Sequence, residues 1–282
     1  MSTIVNRELS LLFSSDPNNG SQNLSVDGSS FDVVLSSPLQ IPRAAVSCTL
    51  SVIQARVWNT SPNISPDFNN NIFNFTTNNS GSPVTYNVVF PSGLYSLSGF
   101  NGFLSNFFTN NLLPANLIVV NADESTNQSI LTFLVANDTV DFSVANSCKD
   151  ILGFDPSVVP SVNRPAGWNE YSVREASFNR VNSYLVTSNI VAGGIPINSG
   201  GRNVIGSIPI TVRVGSQINY DPQNTIEVNA LELAGSSKLN ISFQLRDQLL
   251  RLAPTNGEYW SVIIRIKYGI LLTNENVPML RF

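Results

Sequence analysis

Two stretches in the last fifth of the chain alternate in side-chain character with a period of two. Leu239, Ile241, Phe243 and Leu245 are separated by Asn240, Ser242, Gln244 and Arg246. Trp260, Val262, Ile264, Ile266 and Tyr268 alternate with Ser261, Ile263, Arg265 and Lys267. That period sends every second side chain to one side of an extended strand and gives a helix no coherent face. One apolar face per strand is what two sheets packed together require. The chain therefore reads as all-β, with Phe243 and Ile264 expected in one sandwich interior. Val46, Cys48, Leu50 and Val52 follow the same rule against Ser47, Thr49 and Ser51. After Val52 the phase slips, with Ile53, Ala55 and Val57 now the apolar set, which predicts a β-bulge. Phe31–Leu35, Tyr184–Val191, Ile208–Val214 and Ile226–Ala230 supply further strands. Pro209 cannot donate to a ladder, so its strand is expected at an edge or bulged.

A jelly roll needs eight strands in two sheets. Two good strands precede residue 60 and five follow residue 180, with one more expected from 70–76 or 172–178. This count predicts one jelly-roll sandwich from residues 29–60 plus 179–282, with 61–178 inserted as a β-rich domain. Two successive jelly rolls meeting near 156–170 are the alternative, because Pro156, Pro160 and Pro165 mark a boundary there. Within the insertion, Leu97, Phe100, Leu104 and Phe107 recur at spacings of three and four, which predicts one short helix. Ser96 or Ser98 is its N-cap, and Gly99 and Gly102 weaken it. A further turn of helix is expected at Lys149–Leu152. Residues 1–28 join a short apolar stretch, Ile4–Phe13, to the polar run SSDPNNGSQNLSVDGSS. They are expected to form an arm that docks on a neighbouring subunit.

Composition narrows the function. The chain has no histidine, which removes histidine general bases, nucleophilic triads and histidine metal ligands. Its two cysteines, Cys48 and Cys148, can make no four-cysteine zinc site; Cys48, inside a strand, is expected to be a buried thiol. Of the carboxylates, Asp123-Glu124 sits in a polar turn, Glu227 and Glu232 flank a strand, and Asp247 and Glu258 bracket a connector. The glycines of AGGIPINSGG lack the spacing of a phosphate loop. No catalytic, cofactor-binding or metal-binding residues are expected. Charged residues make up 12% of the chain, against an ordinary share of roughly 25%. The net charge is −4 with no basic stripe, so direct nucleic-acid binding is not expected. Asparagine, 36 in all, supplies much of the polar surface, and such a neutral coat repels other copies weakly. Met1–Phe13 lacks the pattern of a signal peptide, and no window is long and apolar enough for a helical membrane span.

Several segments carry a family resemblance. They are FDVVLSSPLQIPRAAVSCTLSVIQARVWNTSPNIS, YNVVFPSGLYSLSGFNGFLSNFF, SCKDILGF, SYLVTSNIV, NVIGSIPI, GSQINYDPQNTIEVNALELAGSSKLNISFQLRDQLLR and NGEYWSVIIRIKY. In this order they resemble jelly-roll capsid proteins of tailless icosahedral DNA viruses, the tectivirus–adenovirus, virophage and Polinton-like group. In that group the major shell protein has two jelly rolls and forms trimers. The vertex (penton) protein has one, often with an inserted domain, and forms pentamers. The resemblance implies a structural capsid protein of the virion, not an enzyme, whose partners are copies of itself and other capsid proteins. A penton or minor role, and so a pentamer, fits the length and strand count better; a double jelly-roll major capsid protein is the alternative. A receptor- or carbohydrate-binding spike module is the reading from another class, and exposed Trp168 or Tyr171 would be its sign.

Overall fold

The computed structural model of the chain describes residues 3–178, 181–196 and 203–272. In chain order it begins with β1 (Thr3–Ser14), β2 (Ser21–Gln22), β3 (Ser30–Gln40) and β4 (Ala45–Trp58). Next come β5 (Ile72–Thr77), β6 (Val84–Val89), α1 (Leu97–Asn110), β7 (Ile118–Asp123) and β8 (Gln128–Phe133). β9 (Thr139–Asp141), α2 (Lys149–Leu152), β10 (Val158–Val159) and β11 (Trp168–Glu175) follow. The last group is β12 (Ser183–Ser188), β13 (Val204–Pro209), β14 (Gln217–Tyr220), β15 (Val228–Asn229), β16 (Ser237–Arg246) and β17 (Ser261–Leu272). The chain divides into two compact units, Met1–Ser61 with Val181–Phe282, and Pro62–Arg180.

The first unit is a jelly roll. One sheet has the order β1-β17-β4-β14, with β15 also on β4; the other runs β13-β12-β16-β3-β2. Strands from both ends of the chain share both sheets, so two successive jelly rolls do not describe it. Ile241, Phe243 and Leu245 of β16 and Val262, Ile264 and Ile266 of β17 are wholly buried in one core, as their alternation requires. Phe243 lies 4.7 Å from Phe13 and 5.3 Å from Phe31, and Phe31 meets Trp260 edge-on at 4.9 Å. In β4, Val52 lies opposite Ile264 and Gln54 opposite Ile263, so Ile53 is the extra residue of a bulge.

Four expectations need correction. Residues 1–28 are not an arm: Thr3–Ser14 pairs with β17 in register from end to end, and Phe13 enters the core. The reason is the alternation Leu9, Leu11, Phe13, which gives that stretch the same inward face as any other strand. Leu239 is exposed rather than inward, because the register of β16 on β3 shifts between Lys238 and Asn240 and reverses the phase there. The strand through Pro209 is at an edge, as its proline requires, but ends at that residue instead of continuing to Val214. The prolines at 156–165 mark no boundary: β10 pairs with β9 and β11 with β8, inside the second unit.

That second unit holds two sheets, β10-β9-β5-β6 and β11-β8-β7, together with α1 and α2. Twelve of the sixteen phenylalanines, from Phe68 to Phe178, fall in it. Ser96 caps α1 by accepting the Gly99 N–H at 3.1 Å. The buried stripe is Phe100, Leu104 and Phe108, four apart, and Phe107 sits at its margin. Asn101 then ties the helix to β7, donating to Val120 O (2.7 Å) and accepting from Val120 N (2.9 Å).

Candidate functional site

The groups able to do chemistry are mostly engaged in holding turns. Asp123 accepts from Ser125 N–H and Oγ at 2.9 and 2.6 Å, which holds its carboxyl below the usual range. Asp247 is buried, accepts the N–H groups of Leu249 and Arg251, and pairs with the Arg251 guanidinium. Glu258 is exposed. Glu227 takes a 3.0 Å ion pair from Lys267, which depresses its pKa, and the Glu232 carboxylate accepts the Ala192 N–H. Glu227 and Glu232 are the two that one groove brings together. Cys48 and Cys148 are free, buried thiols in different units, and burial pushes both pKa values up. Among the described residues no three of His, Cys, Asp or Glu cluster as a metal site would need. Of the glycine-rich stretch, residues 197–202 lie outside the described residues. Trp168 is half-buried, with the Arg164 guanidinium carbon 4.1 Å from its ring centroid, and its Nε1 donates to Glu170 at 2.8 Å. Tyr171 is exposed.

The more distinctive surface is at the sheet edges, where unpaired backbone groups invite a neighbouring strand. Three of the jelly roll's edges are short or covered. β2 has two residues, and β14 and β15 have four and two. β13 has six, and Ile195 covers its end by donating to Val204 O at 2.7 Å. β1 differs: it is twelve residues long, ends its sheet and, among the described residues, pairs only with β17. Ser15 N–H donates to Trp260 O, which sets the alternation along the strand. Odd-numbered residues turn their backbone groups to β17, and Ile4, Asn6, Glu8, Ser10 and Leu12 turn theirs outward. Two of these are large, apolar and bare: Ile4 is 54% exposed and Leu12 67%. No alternation rule alone signals this edge, because a strand's place in a sheet depends on its partners.

The opposite end of the same sheet carries a groove of about 540 Å³ between Gly193–Pro196 and Ile226–Glu232. Ile226 and Leu231 are 53% and 42% exposed along it. Between edge and groove the outer face bears the pairs Glu8–Arg265 (3.9 Å) and Glu227–Lys267 (3.0 Å). On the other sheet a groove of about 450 Å³ is lined by Thr187, Ser188, Asn189, Ser242 and Gln244, with Arg246 tied to Gln244 Oε1. The jelly roll thus has a bare edge on one flank, a groove with exposed apolar side chains on the other, and paired charges between them.

These features define a class: a single jelly roll with a β-rich unit inserted between β4 and β12. Its fold is similar to that of the mavirus penton protein, known from a crystal structure. The likeness spans 95% of this chain and all of that one, at a TM-score of 0.50 and 12% identity, so it is a likeness of fold. No protein-family model and no curated protein matches the sequence.

Proposed function

We propose that the chain is a viral capsid protein, the vertex (penton) subunit of an icosahedral shell, and that it assembles as a pentamer in the virion beside other shell proteins. The observation that carries this reading is a single jelly roll with one insertion whose likeness to a penton protein runs the length of both chains. A major shell subunit of the two-roll kind would need a second eight-stranded sandwich, and the four- and three-stranded sheets of the second unit do not make one. A five-fold ring also needs two different patches on opposite flanks of the subunit, since only a heterologous contact closes into an odd-numbered ring. The free edge of β1 and the Ile226–Leu231 groove answer that requirement.

Light scattering on the purified full chain should give the mass of five copies. A monomer or dimer at micromolar concentration would remove the shell reading. A trimer would favour the receptor-binding spike, for which exposed Tyr171 speaks.

A further inference from the structure

The two flanks of the jelly roll match one another in character. We infer that β1 of one copy seats in the Ile226–Glu232 groove of the next, so that a single edge-to-groove contact repeats around the ring; this rests on the shell reading. The edge offers outward N–H and C=O groups along twelve residues, with Ile4 and Leu12 bare between them. The groove offers Ile195, Ile226 and Leu231 to cover them. Charge points the same way. Arg7 is exposed and makes no ion pair among the described residues, whereas the groove carries Glu232. Glu8, the other charge on β1, is already turned to Arg265.

The alternative partner for a bare edge is the same edge of a second copy. Strands paired about a two-fold axis through the sheet must match outward residues with outward residues. The register that sets Ile4 opposite Leu12 then sets Glu8 opposite Glu8, like charges face to face. In the groove Glu227 is already paired with Lys267, as Glu8 is with Arg265, so neither carboxylate meets the other uncompensated. The groove also lies at the far end of the sheet from β1, so one copy can give its edge and its groove at once.

The test uses the full-length protein and reads assembly by light scattering over a concentration series, with melting curves to confirm that each variant is folded. Ile4→Ser with Leu12→Ser should raise the half-assembly concentration roughly tenfold or more. Ser10→Pro should do likewise: it removes an outward N–H and leaves the bonds to β17 in place. Arg7→Glu and Glu232→Arg should each weaken the ring by about tenfold, and the two together should restore it. Rings that form normally in the edge variants, or a charge exchange that fails to restore assembly, would overturn the contact and leave the pentamer standing. A wild-type chain that stays monomeric would overturn both.

Discussion

Among the described residues, nine that are not glycine have positive φ, and seven of them are asparagines: Asn23, Asn69, Asn127, Asn137, Asn146, Asn203 and Asn256. Asparagine tolerates the left-handed region better than most residues, so much of the asparagine surplus sets turns. Other copies work inside the protein. Asn63 is 1% exposed, donates to Tyr95 O and Phe178 O at 2.8 Å each, and accepts from Tyr95 N at 2.8 Å. Composition alone reads these amides as a neutral coat, and for this set the reading is wrong, because burial is not visible in a count. Asp138 is the titratable counterpart. It is buried, which raises its pKa despite bonds from Asn78 N and Thr77 Oγ1 at 2.9 Å. A carboxyl with a raised folded-state pKa contributes most when protonated, and that contribution is lost as pH rises through the folded value. Asp138→Asn keeps an acceptor for Asn78 and lets the Thr77 hydroxyl accept instead of donate. The variant should therefore gain stability over wild type as pH climbs from the acid range to neutrality. Paired melting curves at several pH values check this, and a difference that does not change with pH would refute it.

Elements were legible wherever one face is buried and the register is unbroken. The alternation of β16 and β17, the bulge at Ile53 and the N-cap at Ser96 all follow from local pattern. What the pattern could not give was position across the sheet. The placing of β1 at an edge and the register shift that exposes Leu239 are set by partners far along the chain. The contact surfaces proposed for assembly were illegible for the same reason, since a free edge is defined by the strand that is missing beside it. The core reading of β16 can be measured directly. Phe243→Ala removes a ring packed on Phe13 and Phe31 and should cost about 3–5 kcal/mol. Ser242→Ala, on the outward face, should stay within about 0.5 kcal/mol. Gln244 is a poorer control than alternation suggests, because it holds the Arg246 guanidinium. Denaturant titration of both variants decides the matter, and equal losses would show the phase to be misassigned.

At the scale of the whole chain, the first strand of the described residues closes on the last. Thr3 lies opposite Leu272 and Ser14 opposite Ser261, so the ladder ties residues 3–14 to residues 261–272. Removing residues 1–14 should then destabilise the jelly roll, where a docking arm would be dispensable. Phe13 alone is a loss of about 3–5 kcal/mol, a large share of the ~5–15 kcal/mol that holds an ordinary domain together. The truncated protein should lose its cooperative jelly-roll transition in circular dichroism melts, and an unchanged transition would restore the arm. The same closure has a consequence during synthesis. At ~5–20 residues per second, a ribosome takes on the order of 10–50 s to travel from β1 to β17. Throughout that interval β1 lacks its partner strand. A product cut short before residue 261 carries no β1–β17 ladder.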